Sequence, residues 1–365
     1  MCSFRSLLLL SCFLVLVSFA PAQSKILAFV AYETRSEESL RALKLKIQAG
    51  PKENGVAIID LDPTSPNYSK ILAEYPFPVG TSPHHQYYNP SKTKLYVTAT
   101  VKQIIHVLDL TRRPYAVKRI DAPGCDRIDS MAFSESGDTW WATCIMSGKI
   151  LVGDGDVDQV VRVIALGDVR PHGIAIQREI DRLLVTDMGA PTVAWGESML
   201  EIEASTGRIL ASQKLLGPTA GYGTGPQLIK FLVNRSPPLA YVTSFLGGAD
   251  KKGNLWIASW DKTTNRFNYD PVFDFSVTEG AHPVALNFTR SEMRLLVTTA
   301  KPGHLHIFDI ADDPLRPRIL ATLPASPGAH HVAVSPDDKM ASCKTAFSMR
   351  PDSVMAPSRS SIWRI

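Results

Sequence analysis

Cysteine is scarce in this chain: five in 365 residues, two of them (Cys2 and Cys12) within the first dozen. Cys125, Cys144 and Cys343 remain, an odd number, so at most one disulfide braces the fold; Cys125 and Cys144, in one repeat, are the pair able to form it. There is no Cys-x-x-Cys, no His-Glu-x-x-His, no Gly-x-Ser-x-Gly elbow and no phosphate-cradling glycine loop, and their motif-borne chemistries are set aside. One-signed charge is missing too. Lys plus Arg number 39 against 35 Asp plus Glu, net +4, with no basic block or acidic tail, which argues against a nucleic-acid partner. Amphipathic helices of three turns are lacking; only Ser36 to Ile47 has helical character.

Long apolar runs are confined to the start. Met1 to Ala22 has Arg5 in a positive n-region, an apolar stretch from Leu7 to Val17, and a small-x-small site at Ala20-Pro21-Ala22. A run of about a dozen apolar residues is short for a membrane span of about 20 and reads as a cleavable signal peptide over residues 1–22. The expectation is a secreted protein whose mature start lies near Gln23, with no membrane association after cleavage. Two sequons fit that route, Asn67-Tyr68-Ser69 in a turn-rich stretch and Asn287-Phe288-Thr289 near an inner strand, the first better placed to carry glycan.

What the chain does have is a repeat. Leu95-Tyr96-Val97-Thr98, Trp140-Trp141-Ala142-Thr143, Leu183-Leu184-Val185-Thr186, Ala240-Tyr241-Val242-Thr243 and Leu295-Leu296-Val297-Thr298 share one pattern, and Met340 to Lys344 is a degenerate sixth copy. A polar turn precedes each. The copies recur every 43 to 57 residues, near the period of about 40–50 of a four-stranded propeller blade. Residues 26–75 read as one further blade, so the expected fold is all-β: a seven-bladed β-propeller of mostly four-stranded blades, a single domain over 23–365. The last blade ends after its third strand, and the N-terminus is the candidate donor of a closing strand, since closure removes exposed edges.

Innermost strands line a propeller channel. His84, Asp129, His172 and His330 each lie five residues before their turn; Gln227 and His282 lie seven before theirs. Both offsets are odd, so alternation puts these six side chains on one face, and His85 and His331 on the other. Imidazoles converging on an axis suit a borderline transition metal. His106, His304 and His306, on third strands, read as packing or surface residues. Asp154, Asp156 and Asp158 alternate as in a calcium loop, but an EF-hand's glycine and distal glutamate do not follow, so they read as an acidic turn.

Thr186 to Val193, Gly225 to Leu232 and Phe308 to Arg318, with the long insertion before the terminal strand, resemble the selenium-binding protein and methanethiol oxidase family. The resemblance implies a seven-bladed propeller whose oxidase members hold copper through channel histidines, including an adjacent pair matched by His84-His85. Where the family has a histidine beside a cysteine this chain has Asp129-Ser130-Met131. The expectation is a copper, or other transition-metal, oxidase of a small thiol-like molecule. His84, His85, His172, His282 and His330 are the candidate ligands, with Asp129 and His172 in proton handling or ligand orientation. Two alternatives stand beside it: a metal-free propeller enzyme of lactonase, isomerase or cyclase type on a small organic substrate, and a non-catalytic binding scaffold.

Overall fold

The repeat builds a sheet because each copy alternates branched and aromatic residues between turns of Asn, Ser, Pro, Gly and Asp, and neighbouring strands then pair by hairpins. The computed structural model describes residues 26–33, 53–190, 194–216, 224–248, 250–345 and 362–364. Residues 1–25, the helix-like stretch at 36–47, most of the glycine-rich loop at 217–226 and the insertion at 348–357 lie outside them. Five four-stranded antiparallel sheets follow one another, at residues 83–121, 128–165, 171–214, 226–274 and 283–324, and a three-stranded sheet at 329–364 ends the series. These are blades 1 to 6 of a β-propeller.

Each inner strand carries the same fault in its pairing. The register slips between Pro83 and Gln86, Ile128 and Met131, Pro171 and Ile174, Pro226 and Ile229, Pro283 and Leu286, and Ala329 and Val332. Two residues bulge in every copy, a device that re-aims side chains. In blades 1 to 5 a threonine near the end of the second strand explains why the bulge is stable. Thr98, Thr143, Thr186, Thr243 and Thr298 accept the N–H of the second bulged residue at 2.7–3.2 Å. Thr143, Thr186 and Thr243 also donate to the carbonyl of the first bulged residue in the next blade, His172, Gln227 and Val284, at 2.7–2.8 Å; Thr298 does the same to His330. One hydroxyl thus satisfies a buried N–H and stitches two blades together.

The propeller has six blades, not the seven expected. The N-terminal strands Leu27–Glu33, Asn54–Asp60 and Ile71–Phe77 form a three-stranded sheet, but it contains no copy of the repeat. Its first strand pairs with the second in unbroken register, without the bulge that marks every blade. It packs on blade 1, where Ala31, Val56 and Phe77 meet Leu95, Val97 and Leu108. No strand of it joins blade 6, which pairs three strands among the described residues, so the expected strand donation is absent there.

Blades pack face to face through the apolar half of the pattern. Tyr96, Ile105 and Val107 of blade 1 meet Met131, Trp140 and Ala142 of blade 2; Trp141, Ile150 and Val152 then meet Leu183, Val185 and Leu200 of blade 3. Trp140, Trp141, Trp256 and Trp260 are packing residues. Cys125 and Cys144 form a disulfide, both fully buried, tying the approach of the blade 2 inner strand to the end of its second. The acidic turn after Gly153 is filled from within: the Lys94 ammonium reaches the Gly155 carbonyl at 2.7 Å and both Asp158 oxygens at 2.9 Å, while Tyr96 Oη donates to Asp158 at 2.6 Å. Asn287 is engaged by the Val332 carbonyl at 3.1 Å and by Lys230; Asn67 sits in a half-exposed turn.

Gly153 shows how tight the packing is. It faces Trp140 across the sheet, and a Cβ there would lie 1.9 Å from the indole. Gly153→Ala is expected to cost about 1–3 kcal/mol through overpacking, read as a lower denaturation midpoint with unchanged m-value.

Candidate metal centre

The bulges decide which side chains share the channel mouth. In a regular strand His84 and His85 would point to opposite faces; in the bulge their rings stack, with centroids 3.9 Å apart and planes 19° off parallel. His330 and His331 behave alike, 4.9 Å apart at 31°. Across the channel His85 meets His331 at 4.1 Å and His330 at 5.1 Å. His84, His85 and His330 each bring one ligand atom within 4.8 Å of the others.

Asp129, the first bulged residue of blade 2, is fully buried and organises them. Its Oδ2 lies 3.4 Å from His84 Nε2. Its Oδ1 lies 3.3 Å from His85 Nδ1 and 3.4 Å from His172 Nε2, and accepts from Ser130 Oγ at 3.2 Å. A carboxylate only accepts, so it selects the tautomers that present an N–H to it. With an N–H turned to Asp129, His84 keeps its lone pair on Nδ1 and His85 keeps its own on Nε2, a buried atom with no hydrogen-bond partner among the described residues. His172 differs: its Nδ1 faces the Gln227 carbonyl at 3.2 Å while its Nε2 faces Asp129, so both nitrogens face acceptors. Tyr87 Oη lies 3.2 Å from His85 Nδ1.

Burial pushes the Asp129 carboxyl up, but the neighbouring His172 and His85, with hydrogen bonds from His84 and His85, outweigh it and hold it well below the usual range. Burial, reinforced by His84, drops His85 well below its ordinary value despite the opposing pull of Asp129. His330 is lowered likewise by burial, His331 and His84. A low-lying carboxylate beside neutral imidazoles is the charge state in which histidine ligates a metal. Access is from the side of His84 and His330. The His84 side chain is 22% exposed and His330 is partly exposed too, whereas the side chains of His85 and Asp129 are 1% and 0% exposed, so a ligand arrives past His84 and His330.

Of the six residues named from the sequence, the structure brings together His84, His85, His330, Asp129 and His172, the last through Asp129 rather than within the ligand trio. It does not bring His282. The bulged pair of blade 5 is Val284-Ala285, and His282 precedes its strand at φ +63°. There its Nδ1 faces the Phe245 carbonyl at 3.0 Å and its ring stacks on Phe245 at 4.6 Å. Tyr87 and His331 were not named as site residues. Repetition of the His-His dipeptide at 84–85 and 330–331 was the signal available for His331; nothing local marks Tyr87.

Bulged inner strands around an axial cluster define a β-propeller with a histidine-lined channel. No protein-family model and no curated protein matches the chain. Solved structures do. A hypothetical selenium-binding protein from Sulfolobus tokodaii superposes with a TM-score of 0.64 at 13% identity over 80% of each chain. A putative 6-phosphogluconolactonase from Bacteroides uniformis gives 0.63 at 10% identity, covering 88% of this chain and 90% of the other. The hydrazine synthase of Kuenenia stuttgartiensis gives 0.62 at 18%, covering 80% and 87%. At these identities the likeness is one of fold.

Proposed function

We propose that this chain is an exported β-propeller that binds a transition-metal ion at His84, His85 and His330 and acts there on a small molecule, the particular reading being a copper-dependent oxidase of a small thiol-like substrate. The observation that carries it is the grouping of one ligand nitrogen each from His84, His85 and His330 within 4.8 Å of one another, with the Asp129 carboxylate 3.3–3.4 Å from the other imidazole edge of the first two. The donor set fits: three imidazoles suit copper or zinc, and a carboxylate behind ligating histidines is the usual outer support of such a site. Copper would supply one-electron redox chemistry. The chain's own residues orient the ligands (Asp129), hold a proton between Asp129 and the Gln227 carbonyl (His172), and exclude water on the Tyr87 side. The family resemblance and the likeness in fold to a selenium-binding protein support the substrate class. Export rests on the leader at residues 1–22 and is tested by N-terminal sequencing of secreted material, expected to start near Gln23.

Metal analysis of the mature protein is the first test. About one equivalent of copper or zinc is expected, falling by tenfold or more in His330→Ala. An apo protein indifferent to both ions sinks the reading. The Asp129–His172 contact also favours metal-free acid–base catalysis of lactonase type, in keeping with the likeness in fold to a putative 6-phosphogluconolactonase; activity unchanged by chelator would select it.

A further inference from the structure

The charges around the cluster do not balance once an ion is present. The titratable groups acting on His85 and His330 are His84, His172, His330, His331 and Asp129. Asp129 is the one carboxylate among these groups, and the Cys343 thiol, which lies against the His330 backbone, is pushed up to about 12 by burial and brings no charge. Its Oδ1 is already shared by His85, His172 and Ser130, and its Oδ2 faces His84; it stands behind the imidazoles rather than among the ligand trio. Three neutral imidazoles bring no charge. A divalent ion against one carboxylate therefore leaves a net charge of about +1 in a recessed site, and burying uncompensated charge is costly. The partly exposed approach past His84 and His330 gives a counter-ion its way in.

We infer that the loaded centre takes a small monoanion as its exogenous ligand, making the substrate class of this site one that binds in anionic form, a thiolate or carboxylate, in preference to a neutral molecule. This rests on the metal reading above. His331, whose ring is 4.1 Å from that of His85, is the position at which a carboxylate would supply the missing charge from the chain itself.

The test uses the mature protein loaded with cobalt(II), whose visible spectrum reports coordination, titrated with azide, acetate and the neutral isostere acetamide. Azide and acetate are expected to shift the bands, and acetamide to bind about tenfold or more weakly. His331→Glu is expected to weaken azide about tenfold with cobalt content unchanged, while His331→Gln, matched in size, retains azide affinity. Equal binding of acetate and acetamide, or undiminished azide affinity in His331→Glu, overturns the inference. Failure to retain cobalt, copper or zinc at all overturns the metal reading instead and the inference with it.

Discussion

Replacing Asp129 with alanine is expected to lower metal affinity by roughly 10- to 100-fold and stability by about 3–5 kcal/mol. Both effects come from one geometry. The carboxylate is fully buried and faces nitrogens of three imidazoles at 3.3–3.4 Å. Without it, His85 and His172 keep polar atoms inside a closed site with an acceptor gone, and leaving a buried group unpaired costs more than the bond itself was worth. The metal effect is separate in origin: with no acceptor behind them, His84 and His85 lose the preference for the tautomers that turn lone pairs to the ion. Asp129→Asn separates the two. It keeps the volume and one oxygen but sets an NH₂ group against imidazole N–H, so it should retain more stability than alanine and still bind metal weakly. Urea denaturation of the apo forms and competition with a chromophoric chelator measure the two quantities. An asparagine variant with undiminished affinity would show that Asp129 does not set the tautomers.

Reading of the sequence reached the blade and stopped at the bulge. Strand alternation and turn residues located every second strand, and the terminal threonine located the first five, because those signals are local. The N-terminal sheet read as a blade because its strands have the same composition; what it lacks, the bulge held by a threonine of the repeat, is a property of pairing. Strict alternation placed His84 and His85 on opposite faces, and the two-residue bulge stacks them. It equated His282 with the ring through an odd offset of seven, whereas the slip at Pro283–Leu286 gives that place to Val284. Asp129 read as an orienting or proton-handling residue; its contact with three imidazoles from blades 1 and 3 is a matter of tertiary approach, which spacing does not encode.

Acid should unfold this protein early, and two histidines remote from the channel should account for much of it. His106 and His306 hold matching positions in the third strands of blades 1 and 5, opposite Val97 and Val297, where blades 2, 3 and 4 place Leu151, Leu200 and Trp256. They are 3% and 0% exposed. His106 stacks on Phe77 at 3.9 Å; His306 lies between the hydroxyls of Thr299 and Thr322 at 3.1 and 3.0 Å. Burial, with Arg119 nearby, lowers His106 from 6.5 to about 4; burial, with His304 nearby, lowers His306 to about 3. Between those values and 6.5 the unfolded chain binds protons that the folded one refuses, so stability rises with pH there. Their share is fully present above pH 6.5, shrinks as pH falls, and is gone near pH 4 for His106 and pH 3 for His306. At about 1.4 kcal/mol per pH unit each, the loss is on the order of 3 kcal/mol or more apiece. His106→Leu with His306→Leu puts at both sites the residue that blades 2 and 3 already use. The pair of substitutions is expected to flatten the slope of unfolding free energy between pH 6.5 and 4 while leaving metal content untouched. A double variant with the wild-type slope would assign the acid sensitivity elsewhere, with Asp129 the next group to test.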